Sequence, residues 1–69
     1  MSNKDLRRKR IRARLAQYDM TAAMLADMLG INEGHLSKVI NSRINVPIEL
    51  ASRIARALKT TTSYLKLNK

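Results

Sequence analysis

The groups able to do chemistry in this 69-residue chain are overwhelmingly cationic. Fourteen Lys and Arg stand against five Asp and Glu, a net charge of +9. An excess of this size names the kind of partner, nucleic acid or an anionic membrane surface, and says nothing of the fold. The charge is unevenly placed. Residues 1–14 hold Lys4, Arg7, Arg8, Lys9, Arg10, Arg12 and Arg14 beside one acid, Asp5, for +6; residues 15–41 hold Lys38 against Asp19, Asp27 and Glu33, for −2; residues 42–69 return to +5. Two basic ends flank a slightly acidic middle.

Catalysis finds little here. There is one histidine, His35, no cysteine to act as nucleophile or thiolate ligand, and no glycine-rich phosphate loop. Asp19 and Asp27 read as a turn residue and a solvated helix face, and a lone histidine has no partner ligands for a metal. No enzyme activity, cofactor or metal is expected. No apolar run approaches the ~18 residues of a membrane span, and the basic start leads into more arginines instead of a secretion signal's apolar core. A cytoplasmic protein is expected, with no membrane partner. A chain this short buries roughly 60% of its unfolded surface, enough for one core. The expected organisation is a basic arm over residues 1–8 leading into the first helix, and a single domain over 9–67.

The elements that position these groups follow the helical period. Ile11, Leu15 and Tyr18 form one stripe with arginines around it. Asp19 suits a left-handed stop. Thr21 is placed to cap a second helix carrying Met24, Leu25, Met28 and Leu29, and Gly30 to end it. Asn32 caps a third helix with Leu36, Val39 and Ile40 inside. Residues 41–46 read as a loop, and Pro47 suits the first turn of a fourth helix with Leu50, Ala51, Ile54, Ala55 and Leu58. The tract Thr60-Thr61-Thr62 interrupts before a short last helix over 63–67. Met20, Met24 and Met28, spaced by four, are read as core filler. The chain is all-α, a compact five-helix bundle.

Residues 21–41 carry the informative spacing. Two helices are joined by a three-residue turn. Ala26 is small where the axes approach, Gly30 takes the positive φ, and Leu25, Leu29, Ile31, Leu36 and Val39 are directed into a shared core. This is the helix-turn-helix pattern, whose second helix enters the DNA major groove.

On Thr21, Leu25-Ala26, Leu29-Gly30-Ile31, Leu36-Ser37-Lys38-Val39-Ile40-Asn41 and Arg53-Ile54-Ala55-Arg56-Ala57-Leu58, the chain resembles the Cro/lambda-repressor-like (XRE-type) helix-turn-helix family. Within it the likeness is nearest to phage repressors and HigA-type antitoxins, and it covers roughly residues 9–65. The resemblance implies base reading by Glu33, Gly34, Ser37 and Lys38. Lys38 suits guanine O6/N7, Glu33 cytosine N4, Ser37 either donor or acceptor, and Gly34 close approach to the bases. Asn32, His35, Asn41, Arg43 and Asn45, with Arg7, Arg8, Arg10 and Arg14 from the basic run, are the expected phosphate contacts.

The departures from the family pattern are informative too. Ala22 replaces a phosphate-contacting Gln, and Leu15 with Ile40 replaces an Arg–Glu pair. Ser42 and Lys59 stand where glycine is usual, and Val46 where a capping Ser or Thr is common.

The resemblance implies a transcriptional repressor binding double-stranded DNA. One module buries about 600–1,000 Å² on DNA, so a homodimer on a palindrome is expected. Tyr64, Leu65 and Leu67 are either its seam or a cap on the monomer core. The alternative function is an antitoxin that binds a toxin protein and controls its own operon. The run Leu6–Leu15 also admits an RNA-binding, a lipid-binding or a merely solubilising reading.

Overall fold

Helix starts follow the side-chain oxygens at hand. Thr21 Oγ1 accepts the Met24 amide at 3.1 Å, Asn32 Oδ1 the His35 amide at 2.6 Å, and Thr61 Oγ1 the Tyr64 amide at 3.1 Å. The computed structural model describes residues 3–41 and 46–67. They form α1 (Asn3–Gln17), α2 (Ala22–Leu29), α3 (Glu33–Asn41), α4 (Ile48–Ala57) and α5 (Thr62–Leu65), and no strand occurs among the described residues. Pro47 caps α4 from just outside it with no side-chain bond, one position ahead of its expected place. Ser42, Arg43, Ile44 and Asn45 lie outside the described residues, and with them the expectations for Ser42, Arg43 and Asn45.

Helix ends are equally uniform. The residue after each of four helices, or one further on, is left-handed: Asp19 (φ 54°), Gly30 (φ 73°), Lys59 (φ 56°) and Lys66 (φ 59°). The amide that follows it reaches back to close the last turn, Met20 to Leu15 O, Ile31 to Ala26 O, Thr60 to Ala55 O and Leu67 to Thr62 O, at 2.9–3.1 Å. Only one of the four is glycine. Lys59, standing where glycine is usual, takes this left-handed geometry, which a Cβ disfavours. Met20, Ile31 and Leu67 then fold onto the core, so three of the four turns also add an apolar contact.

The core draws on every element: Ile11 and Leu15; Leu25, Ala26 and Leu29; Leu36, Val39 and Ile40; Ala51, Ile54, Ala55 and Leu58; Leu65 and Leu67. Helix α3 is seated on α1 and α2, α2 on α4, and α5 bridges α1 and α4. Leu15 and Ile40 are both buried, so an apolar pair fills the place where relatives are expected to carry an ion pair.

Four readings change. Met24 and Met28 are 49% and 60% exposed, because Leu25, Ala26 and Leu29 set the buried face of α2 and the two methionines fall on its outer flank; only Met20 packs against the core. Leu65 and Leu67 are 0% and 3% exposed in the monomer, which leaves nothing of either for a dimer seam. The last helix is also shorter than expected and starts one residue earlier. Finally, α1 begins at Asn3, so Arg7 and Arg8 belong to the packed helix and not to a separate arm.

Arg7 shows why. Its Nη1 donates to Val39 O and its Nε to Lys66 O, both at 3.0 Å, and the residue is 9% exposed. Burial lowers its pKa from the ordinary arginine value, yet guanidinium keeps its proton and all its donors. Arg7→Ala is expected to lower the unfolding free energy by about 2–3 kcal/mol, since two carbonyls lose a charged donor. Arg8→Ala, whose 3.8 Å pair with Asp5 is solvent-exposed, should change it by less than about 0.5 kcal/mol. Urea midpoints of the two variants decide the matter.

Candidate nucleic-acid interface

The seat of α3 divides its surface sharply. Leu36, Val39 and Ile40 are buried, while Glu33, Gly34, Ser37 and Lys38 are all exposed. At 100° per residue, Glu33, Ser37, Asn41, Gly34 and Lys38 fall in that angular order across an arc of about 140°. The structure therefore brings the four expected base readers into one strip. His35, also exposed, sits on the flank beyond Lys38.

Asn41 is the last residue of α3, half-buried, instead of lying in the following loop. Its Nδ2 donates to Ser37 Oγ at 3.3 Å. With the hydroxyl oxygen accepting from Asn41, the Ser37 O–H is left to donate, which suits guanine O6/N7, adenine N7 or thymine O4. Asn32 serves as the cap of α3 through Oδ1 and so aligns the strip before it contacts anything outside the chain.

The basic run separates into two faces. Arg7, Arg10 and Arg14 turn toward the C-terminal half. Arg10 Nη1 donates to Tyr64 O at 2.8 Å, and its guanidinium lies 4.5 Å from the Tyr64 ring centroid. Arg14 donates through Nε to Leu58 O at 3.2 Å and through Nη2 to Lys59 O at 2.6 Å. These three expected phosphate contacts are instead engaged with backbone carbonyls. Tyr64, 43% exposed, is itself covered by Arg10, so the expected seam is reduced to part of one ring.

Arg12 lies on the other side of α1, and sequence reasoning left it out. It lines an open cleft of about 450 Å³ together with Thr21, Ala22, Glu33, Ser37 and Asn41. The signal was present: Arg12 is five residues after Arg7 and two before Arg14, so the helical wheel puts it off their face. Counting the run as one cluster hid the division.

Among the described residues no group of three His, Cys, Asp or Glu is placed to hold a metal ion, and no helix is long and apolar enough to cross a membrane.

A helix-turn-helix family model, HTH_3, matches residues 11–65, spanning Ile11 of α1 to Leu65 of α5. The chain belongs to this Cro/C1-type helix-turn-helix family, and DNA binding is its biochemical class; such domains are typically non-enzymatic. No curated protein and no solved structure matches it.

Gly34 offers a direct check on the strip. A Cβ built there would meet only Asn32 Oδ1 at 3.4 Å, the edge of ordinary van der Waals contact. Nothing inside the chain calls for glycine at this helical position, where alanine is favoured by up to about 1 kcal/mol. Gly34→Ala is therefore expected to leave the melting temperature unchanged or raised while weakening DNA binding. Equal or tighter binding by the variant would show that the bases do not approach this backbone.

Proposed function

We propose that this chain is a sequence-specific transcriptional regulator that acts as a repressor, binding a palindromic operator as a homodimer with α3 as its recognition helix. The observation that carries the reading is the α3 strip. A continuous row of donors and acceptors (Glu33, Ser37, Lys38) with a bare backbone at Gly34 is held outward by Leu36, Val39 and Ile40 on the opposite side.

Within this reading Glu33, Gly34, Ser37 and Lys38 read bases. The phosphate grip falls to Arg8, His35 and the basic segment that includes Arg43 and Asn45, with Asn32 and Asn41 supporting α3 itself. Arg7, Arg10 and Arg14 hold the fold instead. The dimer is supported by interface arithmetic: a single module of this size buries too little on DNA for tight specific binding, and two-fold operators mirror two-fold proteins. With Leu65 and Leu67 inside the monomer, the apolar residue most open to a second copy among the described residues is Ile48, 80% exposed at the start of α4. The antitoxin alternative requires a protein-binding face apart from α3. Met24 and Met28, exposed on the outer flank of α2, are the apolar residues such a partner would meet.

Selection of binding sites from random duplexes tests the proposal. A palindrome with half-sites about 10 base pairs apart is expected. Lys38→Ala should relax the preference at one position of each half-site and weaken binding by about 1–3 kcal/mol. A flat selection, or stronger binding to RNA or anionic vesicles at physiological salt, would remove the repressor reading.

A further inference from the structure

Within the DNA-binding reading just given, on which this inference rests, we propose that Arg12 holds a backbone phosphate of the strand that passes over the cleft between α1 and α3. The argument starts from widths. The B-DNA major groove is about 12 Å wide, and an α-helix with its side chains is about 10–12 Å across. A helix lying in the groove fills it, so a sugar–phosphate strand runs along each of its sides. Whatever flanks α3 on a given side meets that strand.

On the side of Glu33, Ser37 and Asn41, the flank is the α1 wall of the open cleft, and among the described residues its one basic lining residue is Arg12. The cleft's volume of about 450 Å³ is in the range of sites that hold a small ligand, so a phosphodiester unit can enter it. The charge balance also calls for a cation. Glu33 is the one acid lining the cleft, and a carboxylate brought beside a phosphate strand repels it unless a positive charge stands close by. Arg12 supplies that charge. Its fork of N–H donors matches two phosphate oxygens at once, a match that lysine lacks.

The other arginines of α1 make the assignment selective. Arg7, Arg10 and Arg14 bond carbonyls on the far face, and Arg8, left to grip phosphate elsewhere, does not line the cleft. Arg12 is exposed and makes no hydrogen bond or ion pair among the described residues. A phosphate contact carries no sequence information, so Arg12 sets affinity and register while the α3 strip sets choice of site.

Salt titration of the full chain on its selected operator and on a scrambled duplex tests this, using Arg12→Ala, Arg12→Lys and, as control, the exposed Lys9→Ala, which lies outside the cleft. Arg12→Ala should make the slope of log Kobs against log[salt] shallower by about 0.9. Between 50 and 200 mM salt the wild type should then lose about 3-fold more affinity than the variant. The ratio of operator to scrambled binding should be unchanged, Arg12→Lys should recover most of the slope, and Lys9→Ala should match the wild type. The melting temperature of Arg12→Ala should equal that of the wild type. A wild-type slope in Arg12→Ala alongside relaxed specificity in Lys38→Ala would overturn the Arg12 assignment and leave the DNA reading standing. A changed base preference in Arg12→Ala would also overturn it. Absence of specific duplex binding by the wild type would overturn both.

Discussion

Short helices leave a large share of their backbone unpaired, because the last four carbonyls of each have no partner within the helix. In a chain whose described helices after the first run only four to ten residues, that is the constraint the rest of the structure answers. Left-handed turns close part of the deficit, and guanidinium groups take much of the remainder. Arg53 Nη2 donates to Leu29 O at the end of α2, Arg7 to Val39 O near the end of α3, Arg14 to Leu58 O and Lys59 O beyond α4, and Arg10 and Arg7 to Tyr64 O and Lys66 O of α5. Each places a positive charge where the helix dipole is negative, so the hydrogen bond and the field act together. With only two aromatic residues in the chain, these bonds tie together elements that bulky side chains would otherwise hold. Tyr64 and Tyr18 take part as well, stacked with Arg10 and, at 5.9 and 5.5 Å, with Arg14 and Lys59.

This changes what the net charge means. A +9 chain read as a uniform polycation would be expected to bind DNA by bulk attraction. The structure engages the donors of Arg7, Arg10, Arg14 and Arg53 inside the fold, so these four serve its packing as well as its charge. Bonds to neutral carbonyls leave each charge in place, so the attraction for DNA at a distance is kept while these donors hold helix ends together. Fold stability, through Arg7, Arg10 and Arg14, and the proposed phosphate grip of Arg12 draw on the same residue type on opposite sides of one helix, two to five residues apart.

What was legible in the sequence was local. Thr21, Gly30 and Asn32 announced the ends of α2 and the start of α3 because capping needs only neighbours within three residues. The stripes Leu25/Leu29 and Leu36/Val39/Ile40 followed from helical period alone, and with them the whole turn. What was not legible depended on which face meets which element. Arg7 finds its acceptors 32 and 59 residues away; the helical wheel sets it apart from Arg12, but which face meets another element is decided only where α5 packs on α1. Met24 and Met28 misled for a related reason: a four-residue spacing marks a common face without saying whether that face is inward. Leu65 and Leu67 were equally ambiguous, since a hydrophobic closing segment can serve its own core or a second copy's.

The left-handed residues at the helix ends have a consequence for how such a domain can be tuned. Asp19, Lys59 and Lys66 adopt φ values of 54–59° at a cost of about 1 kcal/mol each relative to glycine. Domains of this size have a net stability of only a few kcal/mol, so the three turns together withhold an appreciable fraction of what the fold could have. Lys59 and Lys66 lie at the ends of α4 and α5, outside the cleft and the α3 strip. The lifetime of the folded protein and its choice of DNA site are therefore adjustable by separate substitutions, so this scaffold can drift in durability without drifting in what it reads.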